Sequence, residues 1–351
     1  MAYPALSREV LEQTVAAVAE FGTISLAARA LGVNRATMQG RYDKARALGI
    51  DQPDREVEPF EVTPPPDADL PVEELLKRRS EAFRRKSAHE EARRLIPVKV
   101  KCDGPVGIAH FGDPHVDDDG TNVDALQAHV RLCQQTEGLF AGNVGDTTNN
   151  WVGRLGRLYG EQSTTAAQAW KLAEWLVTSM TWLYMIGGNH DLWSGSGDPL
   201  KWMARQTKTL YTPSGARMGL KFPNGRVIRL NARHDFKGNS QWNTAHGPAK
   251  AAQMGWRDHI LTCGHLHVSG YQVVRDPATR LISHAIRVGS YKTYDRYADT
   301  LGLPDQNIFV CPVTIIRPQF EDSDPRQIQV LMDPESGADY LTFLRKRKSE
   351  R

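Results

Sequence analysis

Five apolar runs in the middle of the chain each end in a small cluster of Gly, Asp, Asn or His: VGIAHFGD, GLFAGNVGD, TWLYMIGGN, RVIRLNARHD and HILTCGHLH. A short apolar run bounded by turn formers reads as a buried strand. The intervening segments NVDALQAHVRLCQQ and TTAAQAWKLAEWLVTSM carry helical spacing. Strands alternating with helices make an α/β chain. The stretches GYQVVRDPATRLISHAIRVGSY and CPVTIIRPQF read as a hairpin and a further strand, so two packed sheets flanked by helices are expected. Sites in α/β proteins form beyond the carboxyl ends of strands, and here each strand end delivers the same residue types.

GDPH offers Asp113 and His115, and the next GD offers Asp146. The run IGGNHDLW offers Asn189, His190 and Asp191; ARHD offers His234, and CGHLH offers His265 and His267. Residues two apart on a strand share a face, so Asp113 with His115, and His265 with His267, are each expected to point into one site. A lone histidine on an apolar strand is usually a packed core residue. A set of imidazoles and carboxylates at strand ends instead suits a first-row divalent metal such as manganese, iron or zinc.

The ordered set D-x-H, GD, GNHD, H and GHxH, spread over roughly residues 104 to 295, resembles the calcineurin-like metallophosphoesterase superfamily. The resemblance implies a four-layer αββα sandwich over residues 97–320 and two divalent metal ions, with manganese the first expectation and iron or zinc the alternatives. By that pattern Asp113, His115, Asp146 and His267 hold one metal, and Asp146 bridges to a second held by Asn189, His234 and His265. His190 would contact the phosphoryl group and protonate the leaving oxygen, with Asp191 orienting its imidazole. His246 competes with His234 but begins a helix in place of ending a strand.

The motifs following the bridging aspartate narrow the chemistry. GDTTNNW and GNHD depart from the serine/threonine phosphatase branch, and Asn149 stands where the DNA exonuclease branch carries a histidine. An amide donates hydrogen bonds but is no acid at neutral pH, so Asn149 is expected to contact substrate and to favour diesters over monoesters. Trp151 and Arg154 in NNWVGRLGRLYG would stack a base and hold a phosphate, although the same spacing suits a packed helix. Asp117, Asp118 and Asp119 read as a solvated turn.

Residues 1–50 read as three short helices, with Gly22 and Gly32 as stops and Ser25 and Asn34 as N-caps. GTISLAARALGVNRATMQGRYDKA resembles the helix-turn-helix modules of bacterial and phage DNA-binding proteins. Arg35, Thr37, Gln39, Gly40 and Arg41 would then lie on the helix that enters the major groove. The alternative is a three-helix bundle that contacts a protein partner or a second copy in a homo-oligomer. Six Lys or Arg against four Asp or Glu in this segment is a weak basic balance, so nucleic-acid binding rests on placement. Residues 51–72 are rich in Pro and acid and read as an extended linker, followed by a charged, solvated helix that completes the 51–96 segment; residues 321–351 read as a strand and a basic helical tail.

The four cysteines stand far apart, which argues against a disulfide framework or zinc finger. The chain lacks a signal-like start or a spanning apolar run, so a cytoplasmic protein without membrane contact is expected. The expected activity is metal-dependent hydrolysis of phosphodiesters in nucleic acid or nucleotides, recruited by the N-terminal module. A small-molecule phosphodiesterase or phosphatase, and a DNA-binding regulator with a metal scaffold, are the alternatives.

Overall fold

A computed structural model describes residues 6–50, 63, 65, 66, 68–193, 197–295, 299, 302 and 307–349. The chain divides into two compact units, Met1–Arg78 and Arg79–Arg351. The expected linker over 51–72 falls largely on residues outside the described set.

The first unit contains α1 (Arg8–Phe21), α2 (Ile24–Ala30) and α3 (Arg35–Ala47). Gly22 ends α1 with φ 72°, its N–H bonding the Val18 carbonyl, and α1 and α2 meet at 115°. Thr23, not Ser25, caps α2 by accepting from the Leu26 N–H, because the helix begins one residue before the serine; Asn34 caps α3 as expected. Leu11, Val15 and Ala45 form one small core, and Ala17, Ala27, Ala28 and Met38 a second. Helix α4 (Val72–Arg93) buries no residue, as its charge pattern requires.

The second unit is a four-layer αββα sandwich. Its first sheet has the order β12-β11-β2-β3-β4-β5, with β2 (Val106–Phe111), β3 (Leu139–Asn143), β4 (Tyr184–Ile186), β5 (Leu210–Thr212), β11 (Val313–Ile316) and β12 (Ile328–Leu331). The second has the order β1-β6-β7-β8-β10-β9, with β1 (Ile96–Lys99), β6 (Gly215–Lys221), β7 (Val227–Arg233), β8 (Ile260–Cys263), β9 (Gly270–Arg275) and β10 (Ile282–Arg287). Alternation sorts the side chains. Ile108 and Val106 of β2 face Met218, Leu220, Ile228 and Leu230 across the inter-sheet core. Ala109 and Phe111 face outward onto α5 (Val123–Gln135) and α6 (Ala166–Thr178). Each fully buried side chain of this size contributes about 1.5–3 kcal/mol.

The two outer layers are unequal. The first sheet is covered by α5, α6, α8 (Pro199–Ala204) and α10 (Pro334–Ser349). The second carries only α9 (His246–Ala251) and the π-helical turn Ala252–Trp256, packed on β8 through Phe236, Leu261 and Cys263. Residues 321–351 belong to this sandwich: β12 pairs with β11, and Ala338 and Leu341 of α10 enter the core. The cysteines are free thiols. Among the described residues no single helix is long and apolar enough to cross a membrane.

Gly142 of β3 permits β4 to approach. A Cβ there would lie 2.1 Å from the buried Tyr184 ring, whose hydroxyl bonds His110 Nδ1 at 2.6 Å. Gly142→Ala should therefore destabilise the protein by about 1–3 kcal/mol through overpacking. Urea unfolding measures this, and an unchanged midpoint would contradict the packing of β3 on β4.

Candidate metal centre

Strands β2, β3 and β4 of the first sheet and β7 and β8 of the second all deliver their C-terminal loops to one edge of the sandwich. The candidate ligands lie in those loops, not on the strands. β2 ends at Phe111 and β8 at Cys263, so strand alternation does not aim Asp113 with His115 or His265 with His267. Left-handed backbone does: φ is 28° at Asp113, 39° at His115, 49° at Asp146, 73° at His265 and 53° at His267. Such conformations cost roughly 1–2 kcal/mol per residue outside glycine and collect at functional sites. Neighbouring glycines leave room for the carboxylates. A Cβ on Gly188 would lie 2.0 Å from Asp146 Oδ1, and one on Gly264 2.5 Å from Asp113 Oδ1.

The donor atoms point at one another. His234 donates from Nδ1 to the Val144 carbonyl at 3.0 Å, which leaves Nε2 as the atom to take a proton or a cation. That atom lies 2.9 Å from Asn189 Oδ1, 3.0 Å from His265 Nδ1 and 3.2 Å from Asp146 Oδ2. His267 likewise donates from Nδ1 to Asp295 Oδ2 at 3.1 Å, and its Nε2 faces His115 Nε2 at 3.2 Å. Asp113 Oδ1 and His115 Nδ1 are buried with no hydrogen-bond partner among the described residues. Converging lone pairs and unsatisfied buried oxygens repel unless a cation sits among them. Asp146 belongs both to a cluster with His115 and His190 and to one with His234 and His265. The residues fit two divalent cations sharing the Asp146 carboxylate, with imidazole and carboxylate donors of the kind first-row metals take.

The electrostatics agree. Burial alone would depress His234, but the Asp146 carboxylate outweighs it and carries the imidazole up to about 10. A site that draws in a proton so strongly is a site for positive charge. Burial pushes Asp113 up to about 6, against the pull of His234 and His267. For Asp146, burial is overcome by His234 and His115, and its carboxyl lies well below the usual range.

Three expectations about side chains are corrected. Asp191 does not touch the His190 ring: its carboxylate is fully buried and accepts the N–H groups of Thr147 and Gly188, both at 2.9 Å. It pins the β3 and β4 loops together, and burial, aided by Asp146, raises its pKa to about 7. His190 is oriented instead by the Asn149 carbonyl, which accepts from Nδ1 at 2.6 Å. The Asn149 side chain is 0% exposed and its amide nitrogen donates to Asp118 Oδ2 and Gln162 Oε1, so its N–H groups serve the scaffold in place of substrate. Asp117 is no solvated turn residue either, since it is buried and accepts the Asn149 N–H at 2.7 Å, and Asp119 accepts from Ser163.

Trp151 lies edge-on to His190 at 5.2 Å, with its indole N–H on Gln162. Arg154 is exposed on a 3-10 helix, Gly153–Glu161. His246 begins α9, as its sequence context indicates. In the first unit Arg35, Thr37, Gln39 and Gly40 are exposed along α3, Gln39 bonds Asp43, and Arg41 is half-buried.

Several contributors escaped the motif reading. Trp193 stacks on His190 at 4.1 Å. Lys292, 7% exposed, holds Asp118 at 3.0 Å and Asp295 at 3.2 Å. It thereby joins the carboxylate behind His267 to the one behind Asn149, the kind of outer contact that fixes a ligand's tautomer. Nothing marks YKTYD in sequence beyond its position after a strand.

No family model and no curated protein matches the chain. Among solved structures it is similar to the calcineurin-like phosphoesterase YfkN from Bacillus subtilis, at 10% identity and a TM-score of 0.36 over 69% of this chain and 99% of that one. It is also similar to the Pseudomonas putida nuclease MPE, at 11% and 0.31 over 64% and 87%. A third is the Haemophilus influenzae NAD nucleotidase NadN, at 11% and 0.33 over 65% and 49%. The fold described above stands on its own strand order and layers.

Asp191→Asn tests the reassignment. The amide turns a donor toward one of two backbone N–H groups, and a buried unsatisfied donor costs about 1–3 kcal/mol. The denaturation midpoint should fall. A variant of full stability that instead loses only the acid role of His190 would restore Asp191 as its partner.

Proposed function

We propose that the chain is a divalent-metal phosphoesterase acting on phosphodiesters of nucleic acid, with the α1–α3 module recruiting DNA. The observation that carries the reading is the convergence of imidazole lone pairs and two carboxylates on paired positions that share Asp146, with His190 beside them. Asp113, His115, Asp146 and His267 would hold one cation, and Asp146, Asn189, His234 and His265 the other. Bound there, the pair would activate water and neutralise charge on the phosphoryl oxygens during in-line attack. Manganese is the first metal to try.

The remaining chemistry belongs to the chain. With Nδ1–H held by the Asn149 carbonyl, His190 presents Nε2 as the atom that carries a proton to the leaving oxygen. Burial lowers its pKa, while Asp146 and the Asn149 carbonyl work against that. The indoles of Trp151 and Trp193 wall the ring and restrict its rotation. The exposed Arg35, Thr37 and Gln39 would meet the base edges of a duplex.

Asp146→Asn should lower bound metal and abolish turnover of a chromogenic diester. His190→Ala should keep its metal, measured by elemental analysis, yet slow esters with poor leaving groups roughly 10²–10⁴-fold and nitrophenyl esters less. Turnover indifferent to chelator would sink the metal reading, and metal lost from His190→Ala would make that residue a ligand.

Replacing Arg35 and Gln39 together with Ala should weaken duplex binding at least about tenfold, on the scale of one good base contact, with nitrophenyl ester turnover unchanged. Equal duplex affinity in an anisotropy titration would remove α3 from DNA recruitment.

A further inference from the structure

On the second sheet Trp256 of the π-helical turn lies against Arg217 of β6 and Arg233 of β7, and this face gathers more positive charge than the described acids neutralise. Asp258, fully buried, is the shared partner of two arginines: it accepts Arg217 in a bidentate pair at 2.8 Å and Arg229 at 3.2 Å, and also receives Asn231. Arg233, the last residue of β7, bonds only Asn231 Oδ1 at 3.3 Å and has no carboxylate partner among the described residues. Its guanidinium lies 4.8 Å from the Trp256 ring centroid and 5.8 Å from that of Phe236.

A second guanidinium stands beside it. Arg93, at the end of α4, donates to the Gly215 carbonyl at 3.0 Å, and Gly215 is the register partner of Arg233 in the β6–β7 pair. Glu90 is 3.8 Å from Arg93 but is held by Lys86 at 2.8 Å. Arg233 and Arg217 both lie over the half-exposed Trp256 indole, 39% accessible, with Arg93 on the Gly215 carbonyl beside Arg233, a gathering of like charge that an anion relieves.

We propose that Arg93, Arg233 and Trp256 form a phosphate-binding site for the backbone of a nucleic-acid strand. Planar guanidinium forks match phosphate oxygens, and an indole at the rim offers a stacking surface for a base. His234 follows Arg233 in the chain, so this face begins where the candidate metal centre ends. A polymer seated at the metals would extend onto it; a small ester would not reach it. The proposal rests on the nucleic-acid reading for its substrate class and is independent of the metal chemistry.

The test is binding of a labelled single-stranded oligonucleotide to the full chain with chelator present, followed by anisotropy across salt concentrations. Arg93→Gln with Arg233→Gln should lower the slope of log affinity against log salt by about 1.4, at about 0.7 per phosphate contact on a single strand. Affinity at low salt should fall at least about tenfold. The double Lys variant should recover most of the slope, and Arg93→Glu alone, on a solvated helix end, should weaken binding if the double Gln variant does not fold. An unchanged slope in folded Gln variants overturns the proposal. So does displacement by equimolar inorganic phosphate, or equal binding of a polyglutamate peptide. A fall in slope in a protein that hydrolyses no diester would uphold this face and reject the phosphoesterase reading.

Discussion

The geometry of the second unit turns on a repulsion. His265 Nδ1, Asn189 Oδ1 and Asp146 Oδ2 all crowd within hydrogen-bond distance of His234 Nε2, and without a positive charge among them such atoms would separate. They are held together from behind. The Val144 carbonyl fixes His234, Asp295 fixes His267, the His190 N–H and its loop fix Asp146, and the Asp191 carboxylate ties two loops through their backbone N–H groups. Two sheets contribute these supports, so the inter-sheet core is what sets the spacing of the site.

This explains which parts of the molecule are legible in sequence. The buried strands β2, β3, β4 and β8 are largely apolar runs and β7 alternates apolar with polar residues, and a polar cluster after such a run announces a strand end facing a site. The flanking strands are less visible. β6 reads GARMGLK, in which Arg217 and two glycines dilute the alternation, and β1 and β5 span four and three residues. The D-x-H and H-x-H spacings do place their side chains together, but through left-handed turns beyond the strands, a conformation that residue type does not encode.

The roles of individual side chains were harder to read for a related reason. Asp191 and Asn149 stand beside His190 in sequence or in space, and nearness suggested chemistry. Their hydrogen bonds run the other way, into the scaffold. A polar residue in a site loop has to satisfy backbone as well as substrate, and only the fold shows which demand it meets. Lys292 and Asp295 are the converse case, remote in sequence from every motif yet joined to His267 and, through Asp118, to Asn149 by two ion pairs and two hydrogen bonds. The unequal outer layers are equally invisible, because the short α9 and its π-turn become meaningful only when Trp256 is found against Arg217 of β6 and Arg233 of β7.

The left-handed backbone at Asp113, His115, Asp146, His265 and His267 has a thermodynamic consequence. Each such residue lowers the local stability of its loop, and the three loops that carry them would share their relief in the same bound cations. Occupancy and folding are then linked functions: the ligand that binds the native form and not the unfolded chain raises stability by RT ln(1 + [L]/Kd). A cation that occupied this site would therefore act on the persistence of the folded chain as well as on its chemistry.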